Sequence, residues 1–237
     1  MKIQKGFSHY GQEIGILVNA SVSPRVPGDA GHAASFGYPV QYQITGTSFM
    51  DMVEGAPDAR EKLIRAARTL KNAGCRGIVA DCGLMSLYQN DVAREVGIPF
   101  VGASLIQIPI VWHMVGCNGT IGIITGHSDF LKPCHLCSSG WTDEIPLAIE
   151  GMQTCAHFHE IVICGGMNLN TSQMCDEVVD AALALKRHYA DLKAVILECS
   201  NLATYSRAVA EAIELPVFDT ISAANLLQYG LCPPQYI

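Results

Sequence analysis

Two short segments, VADCGLM at 79–85 and ILECSNL at 196–202, each run from apolar residues through a carboxylate to a cysteine, and they lie 117 positions apart. A cysteine so placed is able to do acid–base work, because its thiolate takes a proton from carbon and its thiol gives one back. If each apolar run is a strand, Cys82 and Cys199 fall at strand carboxyl ends, where open α/β folds bind ligands. A loop and a helix follow each cysteine, so backbone N–H groups and a helix N-terminus are expected to lower both thiol pKa values towards neutral. Two such thiols across one cleft would remove a proton from one face of a carbon and deliver one to the other. The plainer alternative is a pair of inert buried cysteines; the matched arrangement favours chemistry.

Removing a proton beside a carboxylate builds charge on oxygen, which needs fixed donors. Ser200 and Asn201, Thr125, and the backbone after Gly83 are the candidates at the strand ends. Asn19 and Ser21 close the first strand and are candidates for holding a substrate head group. Arg25 lies in the Gly- and Pro-containing stretch 21–37, a lid or binding-loop candidate, and its guanidinium would suit a bidentate clamp on a substrate carboxylate. Side-chain alternation along a strand directs Asp81 and Glu198 away from the faces their cysteines use. Both acids are therefore expected to bond neighbouring backbone and support the thiol loops; raising the thiol pKa is the lesser reading. His127 is a candidate acid–base helper, with an ordinary polar loop histidine as the plainer reading.

Other motifs carry less. CHLC (134–137) and HFH (157–159) suggest zinc, yet together they depart from the usual pairing of Cys-x2-Cys with His-x3–5-His, and no metal is expected. CHLC also falls within a helical stretch, unlike a redox motif that opens a helix after a strand. IGILVNAS lacks G-x-G-x-x-G and CGGMNLN lacks a P-loop lysine, which disfavours nucleotides.

The elements that must position these residues follow an alternating pattern. β-branched runs predict strands near 13–20, 38–45, 77–82, 98–103, 120–126, 160–165, 194–199 and 216–219. Helical patterns fall between them at 58–73, 86–96, 105–115, 174–190 and 203–214. This alternation indicates parallel α/β sheets. EIGILVNAS (13–21) aligns with TIGIITGHS (120–128), and RGIVADC (76–82) with KAVILEC (193–199), at offsets of 107 and 117. The repeat predicts two pseudo-symmetric lobes, each a parallel sheet flanked by helices, with the active-site cleft between them. The first would comprise 1–112 plus 216–237 and carry Cys82, and the second 113–215 and carry Cys199.

The chain has 237 residues, 49% hydrophobic and 16% charged, which marks an ordered globular protein. Its net charge of −7 argues against nucleic acid or an anionic membrane as partner. The segment MKIQKGFSHYGQE has no apolar core of signal-peptide length, and 104–116 is too short and interrupted to span a bilayer. A cytoplasmic location is expected, with the ten cysteines mostly reduced.

The segments DCGLMSLYQ, GIPFVGASLIQIPIV, IGIITGHS and LECSNLATY resemble the aspartate/glutamate racemase superfamily, which includes hydantoin racemases, maleate isomerases and arylmalonate decarboxylases. The resemblance covers nearly the whole chain, including SPRVPGDAGHAASFGYPV, and is strongest to its poorly characterised branch. It implies cofactor-independent chemistry by a thiol/thiolate pair, with Cys82 and Cys199 matching the two catalytic cysteines. Asn19, Arg25, Gly83, Thr125, Ser200 and Asn201 would bind substrate. It implies an isomerase of amino-acid metabolism, a racemase or epimerase independent of pyridoxal phosphate. Such an enzyme moves the α-proton of a small carboxylate of amino-acid or hydantoin type, and homo-oligomers are common in the family. The better-known racemases follow the first cysteine with Asn-Thr or Asn-Ser and the second with Thr-His. Gly83-Leu84 and Ser200-Asn201 stand here instead, which counts against glutamate or aspartate as substrate. A decarboxylase or cis–trans isomerase of the same superfamily is the alternative, as is a non-catalytic small-molecule binding protein.

Overall fold

The computed structural model describes residues 6–236. The first few residues of the segment read above for an export signal therefore lie outside the described residues.

The first lobe contains β1 (Ile14–Val18), β2 (Val40–Ile44), α1 (Phe49–Glu54), α2 (Ala59–Asn72), β3 (Gly77–Ala80), α3 (Gln89–Val96), β4 (Phe100–Val101) and α4 (Ile108–Met114). Its four strands are parallel, in the order β2-β1-β3-β4. The second lobe contains β5 (Thr120–Thr125), α5 (Pro133–Ser138), β6 (Leu147–Gly151), α6 (Ala156–Phe158), α7 (Thr171–His188), β7 (Leu192–Leu197), α8 (Ser206–Ile213) and β8 (Val217–Phe218). Its strands are also parallel, in the equivalent order β6-β5-β7-β8. The chain closes with α9 (Thr220–Leu231). Two parallel sheets flanked by helices is the architecture expected from the alternation.

Parallel sheets covered on both faces demand strands that are apolar throughout. β1, β3 and β5 meet this demand, being buried along all or nearly all of their length. In the first sheet, Leu63, Ala67 and Leu70 of α2 pack on Leu17, Ile78 and Ala80. Ala223 and Ala224 of α9 pack on the opposite face, against Ile14, Ile16 and Val79. In the second sheet, α7 and α8 bury Val178, Leu185, Val209 and Ile213 against Ile124, Val195 and Leu197. The other face, with Ile121, Ile123, Ala194 and Ile196, joins the core of the first lobe. Ser104 Oγ donates to the Leu197 carbonyl at 2.8 Å, and Gln107 Nε2 donates to the Asp219 carbonyl at 2.9 Å, tying the lobes beside the second cysteine turn. Of the stretch 216–237 assigned above to the first lobe, β8 completes the second sheet, whereas α9 covers the first.

The strand expected at 160–165 is helical. A three-residue α-turn at Ala156–Phe158 continues as a π-turn over His159–Ile163. The reason is tertiary: Glu177 of α7 accepts the backbone N–H groups of His157 and Phe158 at 2.7 and 2.8 Å. That carboxylate supplies the N-terminal acceptors that the local sequence lacks. The strand that fills this place in the sheet is β6, at 147–151. α1 and α9 were likewise not apparent in the sequence pattern, whereas α5 falls where CHLC was read as helical.

Candidate active site

Each cysteine is the second residue beyond its strand, since β3 ends at Ala80 and β7 at Leu197. Cys82 and Cys199 are extended and lead into 3-10 turns over Gly83–Tyr88 and Ser200–Tyr205, which pass into α3 and α8. Cysteine, turn and helix thus begin at a constant offset of 117 between the lobes. The two turns meet. A Cβ on Gly83 would lie 1.7 Å from Glu198 Oε1, so only glycine allows the carboxylate of one turn to rest against the other.

Both cysteines line one cavity of about 470 Å3. Its lining includes every residue singled out from the sequence as catalytic or substrate-binding: Asn19, Arg25, Gly83, Thr125, Ser200 and Asn201, and also Ser21, Asp81, His127 and Glu198. The two acids face the cavity, contrary to the expectation from strand alternation, because the strands end before residues 81 and 198 and alternation no longer governs their direction.

The thiols are not acidified. Burial, reinforced by Asp81 and Glu198, pushes Cys82 up to about 12. Burial and Glu198 also push Cys199 well above its ordinary value. The N–H groups of Leu84 and Met85 on Cys82, and of Asn201 on Cys199, act in the expected downward direction but are outweighed. The sequence reading gave the turn and helix N–H groups the greater weight and took the pKa-raising effect of Asp81 and Glu198 as the lesser reading, whereas desolvation and those carboxylates are the larger effects here. Burial also lifts Asp81 to about 6, against the pull of Arg25 and the Asn19 N–H, and raises Glu198 against the Thr125 hydroxyl and the Gly126 N–H.

A chain of polar contacts joins the two turns. Arg25 donates to Asp29 Oδ1 at 2.6 Å and to Asp81 Oδ2 at 2.7 Å. Asn201 Nδ2 donates to Asp29 Oδ2 at 2.8 Å, and the Cys199 thiol donates to Asn201 Oδ1 at 3.5 Å. The Asn19 N–H donates to Asp81 Oδ1 at 3.1 Å, its side-chain oxygen accepts from Thr47, and Thr125 Oγ1 donates to Glu198 Oε2 at 2.7 Å. Burial works against the Arg25 charge, but Asp81 and Asp29 outweigh it and hold the guanidinium protonated. Arg25, placed by the sequence reading on a substrate carboxylate, has its fork on two internal carboxylates here, and Thr125 has its hydroxyl on Glu198.

Asp29 was missed, although an acid four residues after Arg25 in a Gly-Pro-rich loop is a modest signal. Gly28 makes its placement possible. At φ +108°, a Cβ there would stand 2.4 Å from the Thr204 Cα, so the loop lies directly on the second cysteine turn. Also missed were the apolar lining residues Phe49, Met50, Phe130, Val162 and Ile163. α1 presents the first two, its start fixed by a capping box between Ser48 and Asp51. Phe130 stacks on His127 with ring centroids 3.9 Å apart, and Phe49 tilts against Phe130 at 5.8 Å.

The zinc candidates go elsewhere. Cys134 and Cys137 are exposed on α5, and His157 Nε2 accepts the Asn170 N–H at 2.9 Å. Among the described residues, no group of three His, Cys, Asp or Glu side chains is placed to hold a metal ion. Among them, too, no helix is long and apolar enough to cross a membrane.

This architecture is the fold of the aspartate/glutamate racemase superfamily, as the sequence resemblance implies. Arylmalonate decarboxylase superposes with a TM-score of 0.64 at 16% identity, over 94% of this chain and 93% of that one. An aspartate racemase homologue from Pyrococcus horikoshii OT3 gives 0.55 at 18% identity, over 93% of this chain and all of that one. No family model matches the sequence. The curated relatives by sequence carry a different activity. A dimethylsulfoniopropionate lyase from Durusdinium sp. clade D is 29% identical over 214 residues, 86% of this chain and 70% of that protein. Dimethylsulfoniopropionate lyase 7 of Emiliania huxleyi (strain CCMP1516) is 31% identical over 215 residues, 85% of this chain and 62% of that protein. Three further lyases of that name are matched over 44 to 57% of their length.

These relatives overturn the expectation of a racemase, and of an isomerase generally, since they are named as lyases. The physical reason lies in the first step. A base at a strand end serves any reaction that begins by removing a proton beside a carboxylate, so the cysteine motif does not by itself select the reaction. The fate of the resulting carbanion depends on the substituents of the substrate rather than on that motif.

Proposed function

We propose that this chain is a lyase that cleaves a carbon–sulfur bond of dimethylsulfoniopropionate, or a close sulfoniocarboxylate, by β-elimination. A cysteine thiolate takes the proton from the carbon beside the carboxylate. The C–H electron pair forms the carbon–carbon double bond, the β-carbon–sulfur bond breaks, and the sulfonium sulfur leaves with that bonding pair as neutral dimethyl sulfide. Acrylate remains and the proton stays on the thiol, so atoms and charge balance without a further co-reactant.

The observation that carries this reading is the pair of cysteine turns on one cavity, in a chain whose sequence relatives are named for this elimination. A sulfide is a good leaving group that needs no protonation. One thiolate base therefore suffices, and the second thiol is free to donate a hydrogen bond to the substrate. Developing charge on the carboxylate oxygens is met by the N–H groups of the 3-10 turns and by Ser200, in the manner of an oxyanion hole. One of Cys82 and Cys199 stays a base, the proton delivery read for the other drops out, and Ser200 and Gly83 keep the substrate-binding roles read from the sequence. Arg25 and Asn201 become positioning residues that hold the two turns, through Asp29 and Asp81.

Proton NMR of the purified chain with dimethylsulfoniopropionate tests this. The expected result is acrylate and dimethyl sulfide in equal amounts at a rate far above the protein-free control. Product formation no faster than that control would contradict it.

A further inference from the structure

The cavity carries an unusual balance of charge. Among its described lining residues, Arg25 is the only lysine or arginine, whereas Asp81 and Glu198 both line it. The Arg25 charge is already matched at 2.6 and 2.7 Å by Asp29 and Asp81. A ligand entering this cavity meets carboxylates in surplus and no free guanidinium.

Another part of the lining is aromatic and apolar: Phe49, Phe130, the His127 ring, Met50, Val162 and Ile163. Phe49 is 39% exposed, so this wall reaches the mouth of the cavity. His127 stacks on Phe130 and holds it in place. Aromatic faces attract cations through the ring quadrupole, most effectively those that are weakly hydrated. A primary ammonium ion would require several hydrogen-bond acceptors at close range. A methylated sulfonium or quaternary ammonium ion requires none, and it combines a positive charge with an apolar surface. Carboxylate surplus beside aromatic faces matches both properties.

We propose that Phe49 and Phe130, backed by His127, form a subsite for the alkylated onium end of the substrate, so that the cleft selects methylated sulfonium and ammonium carboxylates over neutral acids of the same shape. The proposal rests on the lyase reading for the role of the carboxylate end, but binding at the subsite does not depend on turnover. It makes Phe49 and Phe130 specificity-determining residues for the reaction.

The test is calorimetric binding of 3-(trimethylammonio)propionate and 4,4-dimethylpentanoate to the full chain, two acids that differ in one quaternary nitrogen for carbon. The expected result is at least roughly tenfold tighter binding of the quaternary ammonium zwitterion than of the carbon analogue. Phe49→Leu/Phe130→Leu should erase most of that preference while leaving affinity for the neutral acid within about threefold. Equal binding of the two acids by the wild type, no binding of either at millimolar concentration, or a preference unchanged in the double variant would each overturn the subsite. Should the double variant fail to fold, Phe49→Leu alone, at a residue 39% exposed, carries the same test and should at least halve the preference. Dimethylsulfoniopropionate turnover on the same sample separates the two claims: elimination without cation preference sinks the subsite alone, and cation preference without elimination sinks the lyase reading alone.

Discussion

At the scale of single residues, the thiols are held in their protonated form, and this fixes the pH response. A raised pKa means that the thiolate fraction at neutral pH is small and grows about tenfold with each pH unit. With Cys82 at about 12 and Cys199 also well raised, kcat/KM for elimination should climb steadily from pH 7 to 9 with no plateau. A plateau with a midpoint near 7 would show an acidified thiol instead. Arg25 carries a second prediction, on stability. Its side chain is 17% exposed between carboxylates that are 2% exposed, so Arg25→Leu strands two buried acids and should cost about 3 kcal/mol in urea unfolding. An unchanged unfolding midpoint would remove the pair from any structural role. The cysteines were legible in the sequence because a strand end fixes where a side chain can go. The Arg25–Asp81 and Asn201–Asp29 contacts were not, since they span 56 and 172 positions and only the folded chain brings them together. The thiol pKa direction was misjudged because full burial, the largest cause on both thiols, is set only by the folded chain, and because the adjacent acids Asp81 and Glu198 were given the lesser weight.

At the scale of elements, the loop over 21–37 and the two cysteine turns act as one unit. Gly28 lies against Thr204 and Gly83 against Glu198, so both contacts depend on a missing side chain. Gly28→Ala adds a Cβ at positive φ against backbone that cannot retreat, and should destabilise by more than about 1 kcal/mol. It should also cut elimination activity, because Asp29 moves with the loop and Asn201 loses its partner. A variant with wild-type thermal stability and wild-type rate would show that the loop is not coupled to the second turn. The regular strands and the longer helices were legible from β-branched runs and helical spacing. The segment 156–163 was not. Its apolar β-branched text reads as a strand, and the Glu177 carboxylate from another helix makes it helical. α1 escaped notice because it has only six residues, yet it brings Phe49 to the cavity.

At the scale of the whole molecule, the repeat seen in the sequence becomes two sheets of identical strand order. The sheets share a core: Leu17, Ile78 and Ala80 of one pack in the same apolar cluster as Ile121, Ile123 and Ile196 of the other. The lobes should therefore unfold together, with tryptophan fluorescence and far-ultraviolet circular dichroism giving coincident urea transitions. Two separated transitions would contradict a shared core. The same arrangement explains why the chemistry was only half readable. Duplicated strands place two cysteines on one cleft whatever the reaction, while the substrate is chosen by the loops and by α1, which carry no repeat. The central claim is that these two cysteines perform the elimination, and the most direct measurement is acrylate release from dimethylsulfoniopropionate by wild type, Cys82→Ser, Cys199→Ser and the double variant. Loss of the base should slow at least one single variant and the double variant by roughly 100- to 10,000-fold with the fold retained. A double variant that still releases acrylate at the wild-type rate would contradict it.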